Sequence, residues 1–169
     1  LLEHAAPEDK TGDAFVPNAL KYISDLGTVA GTFVAGTKEL NMRVKDGTGL
    51  LTVNAAARTV VMKKLCESGV EMLCTDGIII DPEAVIGAGT KILPGTIIRG
   101  ASVIGENCVL GPNSYIEDSR IGDGCEVNAT QIRSSTLEDA VKIGPWSQVR
   151  PDCLIHSGCK IGDFVEIKN

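Results

Sequence analysis

The sequence predicts a mainly β fold, in which a parallel β-helix of hexapeptide repeats follows a small α/β segment and a linking helix. The first of three supporting observations is an aliphatic residue that returns every five or six positions from Ile86 to Ile167. Of the fourteen gaps between these anchors, eleven are six residues and three are five. Second, a small side chain stands four residues after the anchor in each full unit, as at Thr90, Thr96, Ser102, Cys108, Ser114 and Cys125. Third, Gly87, Gly105, Gly111, Gly122, Gly144 and Gly162 follow their anchors directly. A period of six fits neither an α-helix nor a coiled coil, and such glycines would weaken a helix.

The amino-terminal part has a different grammar. Pro17-Asn18 followed by Ala19, Leu20, Ile23 and Leu26 predicts a short amphipathic helix closed by Gly27. Val29–Val34 has the β-branched character of a strand, and residues 37–49 are polar and irregular. Asn54 is then expected to cap a helix over Ala55–Ser68 that Gly69 stops, with Ala57, Val61 and Leu65 facing inward. The expected division is residues 1–53 as α/β segment, 54–77 as linking helix and connector, and 78–169 as β-helix. The chain starts at Leu1 without Met and ends inside a repeat, so both ends read as truncations.

Composition narrows the function classes. The chain is 43% apolar but only 4% aromatic, which suits a narrow core of aliphatic and small residues. A net charge of −6 argues against a nucleic-acid partner. No apolar run is long enough to span a bilayer and no signal peptide opens the chain, so a cytoplasmic location is expected. Cys108, Cys125, Cys153 and Cys159 occupy the small-residue slot and are expected to be small buried packing residues of a reducing compartment. No CxxC pair suggests metal.

With three strands per coil, every third anchor lies on one edge, and successive coils rise by roughly 4.8 Å. The residues after the anchors then form three columns. One holds Gly87, Gly105, Gly122, Glu138 and His156, and a second holds Leu93, Gly111, Asn128, Gly144 and Gly162. The third holds Arg99, Glu117, Arg133, Arg150 and Lys168. Stacked Arg133, Arg150 and Lys168 repel one another unless an anion or carboxylate compensates them. Either the column binds phosphate, or it is a solvated edge paired with Glu117, Glu166 or another subunit. His156 has no Asp or Cys partner at a telling sequence distance and reads as a solvated turn histidine, and Trp146 reads as a turn residue packing on an outer face or a subunit interface. The pairs Glu117-Asp118 and Glu138-Asp139 read as solubilising turn charges.

The motifs Leu51-Thr-Val-Asn54, Gly77-Ile-Ile-Ile-Asp81-Pro82, Pro94-Gly95-Thr96, Gly111-Pro-Asn-Ser114, Ile143-Gly-Pro-Trp146, Val149-Arg-Pro151 and Ile161-Gly-Asp-Phe-Val-Glu-Ile-Lys168 resemble a bacterial family. This is the bifunctional UDP-N-acetylglucosamine pyrophosphorylase and glucosamine-1-phosphate N-acetyltransferase. The match is good over about residues 50–169 and loose before them. The resemblance implies a left-handed β-helix acetyltransferase joined to a Rossmann-like uridyltransferase domain, of which residues 1–53 would be a remnant. It further implies a homotrimer, a sugar phosphate and a UDP-sugar as ligands, acetyl-CoA and UTP as cosubstrates, and Mg²⁺ for the uridyltransferase half. Arg150 and Lys168 match the pair that holds the sugar phosphate, Glu166 adjoins them as a substrate-binding residue, and Asn54 matches the asparagine that binds Mg²⁺ and sugar nucleotide. The family's catalytic His would lie beyond Asn169, so no catalytic residue is expected within the chain and the chain alone is expected to be inactive. Ala14, Pro17 and Ala56 depart from the family pattern. Two other readings remain: a non-catalytic trimeric β-helix scaffold, and a sugar nucleotidyltransferase of other specificity.

Overall fold

The structure is a computed structural model, and it describes Asp25–Gly27, Met42 and Val44–Asn169. The helix expected at 18–26 and the strand at 29–34 lie wholly or mostly outside these residues. The chain divides into two compact units, 1–42 and 43–169.

The second unit opens with helix α1, Gly47–Glu67, which begins well before Asn54. Asp46, not Asn54, is its N-cap, with the Gly49 amide donating to Asp46 Oδ1 at 2.7 Å. Gly47 and Gly49 disguise the start, since glycine is a poor helix former. In the first turn, however, the amides have no helical partner, and an Asp acceptor outweighs that weakness. Asn54 is therefore an exposed mid-helix residue. The inward face also differs from expectation: Met62 and Leu65 are buried and Val61 is half-buried, whereas Ala57 is exposed. Gly69, with φ +92°, ends the element as expected.

Seventeen short strands then form three parallel sheets among the described residues. Sheet A holds β1 (Glu71–Met72), β4 (Lys91–Ile92), β7 (Val109–Leu110), β10 (Glu126–Val127), β13 (Lys142–Ile143) and β16 (Lys160–Ile161). Sheet B holds β2 (Ile79–Ile80), β5 (Ile97–Arg99), β8 (Tyr115–Glu117), β11 (Gln131–Arg133), β14 (Gln148–Val149) and β17 (Glu166–Ile167). Sheet C holds β3 (Val85–Ile86), β6 (Val103–Ile104), β9 (Arg120–Ile121), β12 (Thr136–Leu137) and β15 (Leu154–Ile155). Every third strand pairs, as a triangular coil requires. The first strand, at Glu71, precedes the aliphatic series read from the sequence.

The anchors are the core. Leu110 and Val127 on sheet A, Ile98, Ile116 and Ile132 on sheet B, and Ile121 and Leu137 on sheet C are at most 1% exposed, in three columns that run along the coil. Each carries two or three residues per strand, so one side chain per strand must supply the apolar burial, about 1.5–3 kcal/mol apiece.

The small-residue slot sits at the corners and carries hydrogen bonds as well as filling space. Ser135 Oγ lies 2.7 Å from Arg150 O and 2.9 Å from Arg133 O, either of which can take its one proton, and accepts from the Cys153 amide at 3.1 Å. Thr90, Ser114, Thr130 and Ser147 donate to carbonyls of the next coil, and the Ser102 and Ser119 hydroxyls accept from the Ser119 and Ser135 amides one coil on. No buried side-chain N or O among the described residues lacks a partner. The five-residue units keep the slot at Ser119, Thr130 and Ser135, one position earlier, because their turn is one residue shorter. Cys108, Cys125 and Cys153 are buried free thiols in this slot, but Cys159 is exposed in the last full turn. The turn acids are structural as well as solubilising: Asp123 Oδ1 accepts from the Glu106 amide at 2.7 Å and Asp139 Oδ1 from the Asp123 amide at 2.8 Å.

Glycines after anchors exist for room. A Cβ on Gly87 would meet the Gly105 carbonyl carbon and oxygen at 2.6 Å, whereas one on Gly162 would meet nothing within 4 Å. Urea unfolding should show Gly87→Ala destabilised by roughly 1–3 kcal/mol through overpacking. Gly162→Ala should stay within about 0.5 kcal/mol of the unsubstituted chain.

Candidate functional site

The register of sheet B brings together three of the residues singled out from sequence. Gln148 pairs with Glu166 and Val149 with Ile167, and the Arg150 amide donates to Ile167 O at 3.0 Å. Ile167 turns inward, so its neighbours Glu166 and Lys168 both project outward beside Arg150. Glu166 accepts through Oε1 from Arg150 Nε at 2.7 Å, and the Arg150 terminal nitrogen bonds the same oxygen. Its other oxygen, Oε2, faces Lys168 Nζ at 3.3 Å. One carboxylate thus bridges two cations on an open edge, with side-chain exposures of 50% for Arg150, 40% for Glu166 and 64% for Lys168. Arg150, then Lys168, hold the Glu166 carboxyl below its ordinary value of 4.5.

The rest of the column alternates in sign. Arg99 pairs with Asp81 at 3.1 Å, and Arg133 Nε faces Glu117 Oε2 at 3.6 Å. The Arg133 guanidinium also lies over the Tyr115 ring, 5.1 Å from its centroid. Of the two readings of this column, the carboxylate pairing with Glu117 and Glu166 is the one observed in the free chain. The repulsion among Arg133, Arg150 and Lys168 is compensated by these neighbours.

His156 has a glutamate partner, a residue type not weighed for it from the sequence. Its Nδ1 lies 3.3 Å from Glu138 Oε2, which also accepts from the Ser157 amide at 2.9 Å and Ser157 Oγ at 3.1 Å. Those Ser157 bonds, followed by His156, lower the Glu138 pKa. Glu138 and His156 are one coil apart, adjacent in the first column, so coil spacing rather than sequence proximity was the signal. Trp146 and Phe164 occupy equivalent positions one coil apart at the corner between sheets A and B, where the Phe164 amide donates to Pro145 O at 3.1 Å. They are 64% and 78% exposed, at φ 63° and 58°, a strained conformation for bulky side chains.

Asn54 is not part of this constellation. It is on α1, which packs against β2, four strand spacings from β14, roughly 19 Å along the sheet. No group of three or more His, Cys, Asp or Glu able to hold a metal occurs among the described residues.

A family model described as the EIF2B subunit epsilon LbH domain matches residues 65–167. The chain belongs to this family. Its fold is a left-handed parallel β-helix. The acetyltransferase domain of PglB from Neisseria gonorrhoeae shares the fold, with TM-score 0.55 over 68% of this chain and 58% of that one, at 15% identity. The chain is also similar to Bifunctional protein GlmU of Alkaliphilus oremlandii, 36% identical over 173 residues, which cover 100% of this chain and 38% of that protein. GlmU of Caldanaerobacter subterraneus subsp. tengcongensis is 38% identical over 154 residues, 91% of this chain and 34% of that protein. These are the relatives that the motifs of residues 50–169 resemble. The LbH chain spans well under half the length of either. No helix among the described residues is long and apolar enough to cross a membrane.

The lowered pKa of Glu166 has a consequence for stability. A depressed folded-state value means that its ion pairs stabilise the chain above pH 4.5, and that this contribution is lost as pH falls through the folded value. Carbon-detected NMR titration should place the Glu166 midpoint below 4.5, and Arg150→Ala should move it upward.

Proposed function

We propose that this LbH chain is part of a bifunctional transferase that makes UDP-N-acetylglucosamine, and that Arg150, Glu166 and Lys168 bind the acetyl acceptor, glucosamine-1-phosphate. The observation that carries this reading is the convergence of two cations and one carboxylate on one open edge. The acceptor carries the complementary charges, a phosphate and an amine. Arg150 offers a planar fork and Lys168 a point charge for the phosphate. In the acetyl transfer, the amine nitrogen attacks the thioester carbonyl of acetyl-CoA, the carbon–sulfur bond breaks, and coenzyme A leaves as the thiol. The cluster's part is to hold the phosphate so that the amine is oriented for attack. We assign the group that takes the amine proton, and the uridylyl transfer from UTP with Mg²⁺, to parts of the parent protein outside this chain.

The parent would work as a homotrimer. The openness of the Arg150 edge and the exposed Trp146–Phe164 pair support this, because a neighbouring subunit would cover both. Analytical ultracentrifugation of the chain should then show a species of three times 17.7 kDa. One specific observation favours a scaffold instead: Arg150 and Lys168 both already bond Glu166.

Calorimetric titration with glucosamine-1-phosphate separates the two. The acceptor reading expects Arg150→Ala to weaken binding about tenfold or more, the loss of a charge-assisted hydrogen bond. Unchanged affinity would favour the scaffold. The 169-residue chain by itself should turn over neither glucosamine-1-phosphate with acetyl-CoA nor N-acetylglucosamine-1-phosphate with UTP. Robust turnover in a coenzyme A release assay would refute that.

A further inference from the structure

We infer that Glu166 selects the amine-bearing sugar phosphate over its acetylated product by exchanging ion-pair partners. The inference rests on the reading of Arg150 and Lys168 as the phosphate ligands. In the free chain the Glu166 carboxylate occupies the position between these cations that a phosphate would take, one oxygen on each. Two anions cannot share that position, so an arriving phosphate must displace Glu166 from Arg150 and Lys168.

Displacement leaves a carboxylate without its partners at the edge of the bound sugar. An acceptor in its ammonium form supplies a new one, because its positive charge stands one bond from the ring carbon next to the phosphate-bearing carbon. The exchange is then an ion pair for an ion pair. An acetylated sugar phosphate carries a neutral amide there, and it leaves Glu166 without a cation. For that ligand the resting arrangement, with Glu166 back on Arg150 and Lys168, competes better, and the product is expelled. Inorganic phosphate meets the same competition with no ammonium to offset it. The half-exposed setting of all three side chains allows this exchange without moving the backbone, which sheet B fixes through the Arg150 amide and Ile167 carbonyl.

The test is calorimetric titration of the 169-residue chain with inorganic phosphate, glucosamine-1-phosphate and N-acetylglucosamine-1-phosphate. The variants are Arg150→Ala, Glu166→Gln and Glu166→Asp. The unsubstituted chain should prefer the amine over the acetylated ligand by about tenfold, one charged hydrogen bond's worth. Glu166→Gln keeps the shape and removes the charge; it should bind inorganic phosphate and the acetylated ligand more tightly and abolish most of the preference. Glu166→Asp should keep part of it, and thermal melting should show all the variants folded. If Arg150→Ala weakens all three ligands but Glu166→Gln changes neither phosphate affinity nor preference, this inference is wrong and the acceptor site stands. If the unsubstituted chain binds no phosphate, or Arg150→Ala changes nothing, the acceptor site itself is wrong and the inference falls with it.

Discussion

Each strand of the coil lends its amides to the coil that follows, and the register of those bonds places every side chain of the solenoid. Lys91, Val109, Glu126 and Lys142 are successive partners on sheet A, spaced by eighteen, seventeen and sixteen residues. Although the spacing varies, the pairing does not slip. A shift of one residue would send the aliphatic anchor outward and a charged neighbour into the core. The anchors therefore enforce the register, and the register in turn stacks every equivalent position into a column. Charge repulsion, glycine clearance and hydrogen-bond ladders are all consequences of stacking like on like.

The coil absorbs units of unequal length at its corners. In most six-residue units the residue with positive φ comes three places after the anchor, as at Asn107, Asn113 and Asp152, the Ile98 unit differing with Gly100 two places after; in the five-residue units it comes two places after, at Asp118, Ala129 and Ser134. The small-slot residue follows at once at each of these named positions, and it still bonds the adjacent coil, either by donating to a carbonyl, as at Ser114 and Thr130, or by accepting from an amide, as at Ser119. Shortening removes a residue from the turn and leaves both the strand and the ladder intact. A buried polar corner that is fully bonded costs little and ties neighbouring coils together.

These rules explain what could be read from the sequence and what could not. The anchor period announced three sheets, because an aliphatic residue per strand is the minimum needed to bury a core so narrow. The charged column was legible for the same reason. Partners across coils were harder to see: Glu138 and His156 stood together in the sorted column, but their separation in sequence hid the contact. Ser119, Thr130 and Ser135 escaped a rule fixed at four places after the anchor, since they belong to the shortened units. Cys159 fits the slot but lies where no full coil covers it. On α1 the sequence misled through chemistry, as Asn54 is a good cap anywhere except eight residues past the true one at Asp46. Residues 1–24, 28–41 and 43 leave their expected elements outside the described structure.

The site follows from the same stacking. A column of residues on a parallel sheet brings side chains within a strand spacing of one another whatever their charge, so like charges must be interleaved with opposite ones. Asp81, Arg99, Glu117 and Arg133 alternate, and their pairing is one to one or nearly so. At Arg150 and Lys168 the alternation stops, and a single carboxylate from the neighbouring column serves both. A lone Glu166 between two cations is the point on sheet B where positive charge is in excess and where an anion could be held at the cost of the two exposed ion pairs that Glu166 makes. Such pairs are weak in water, which makes this edge stable enough to fold around and loose enough to exchange partners.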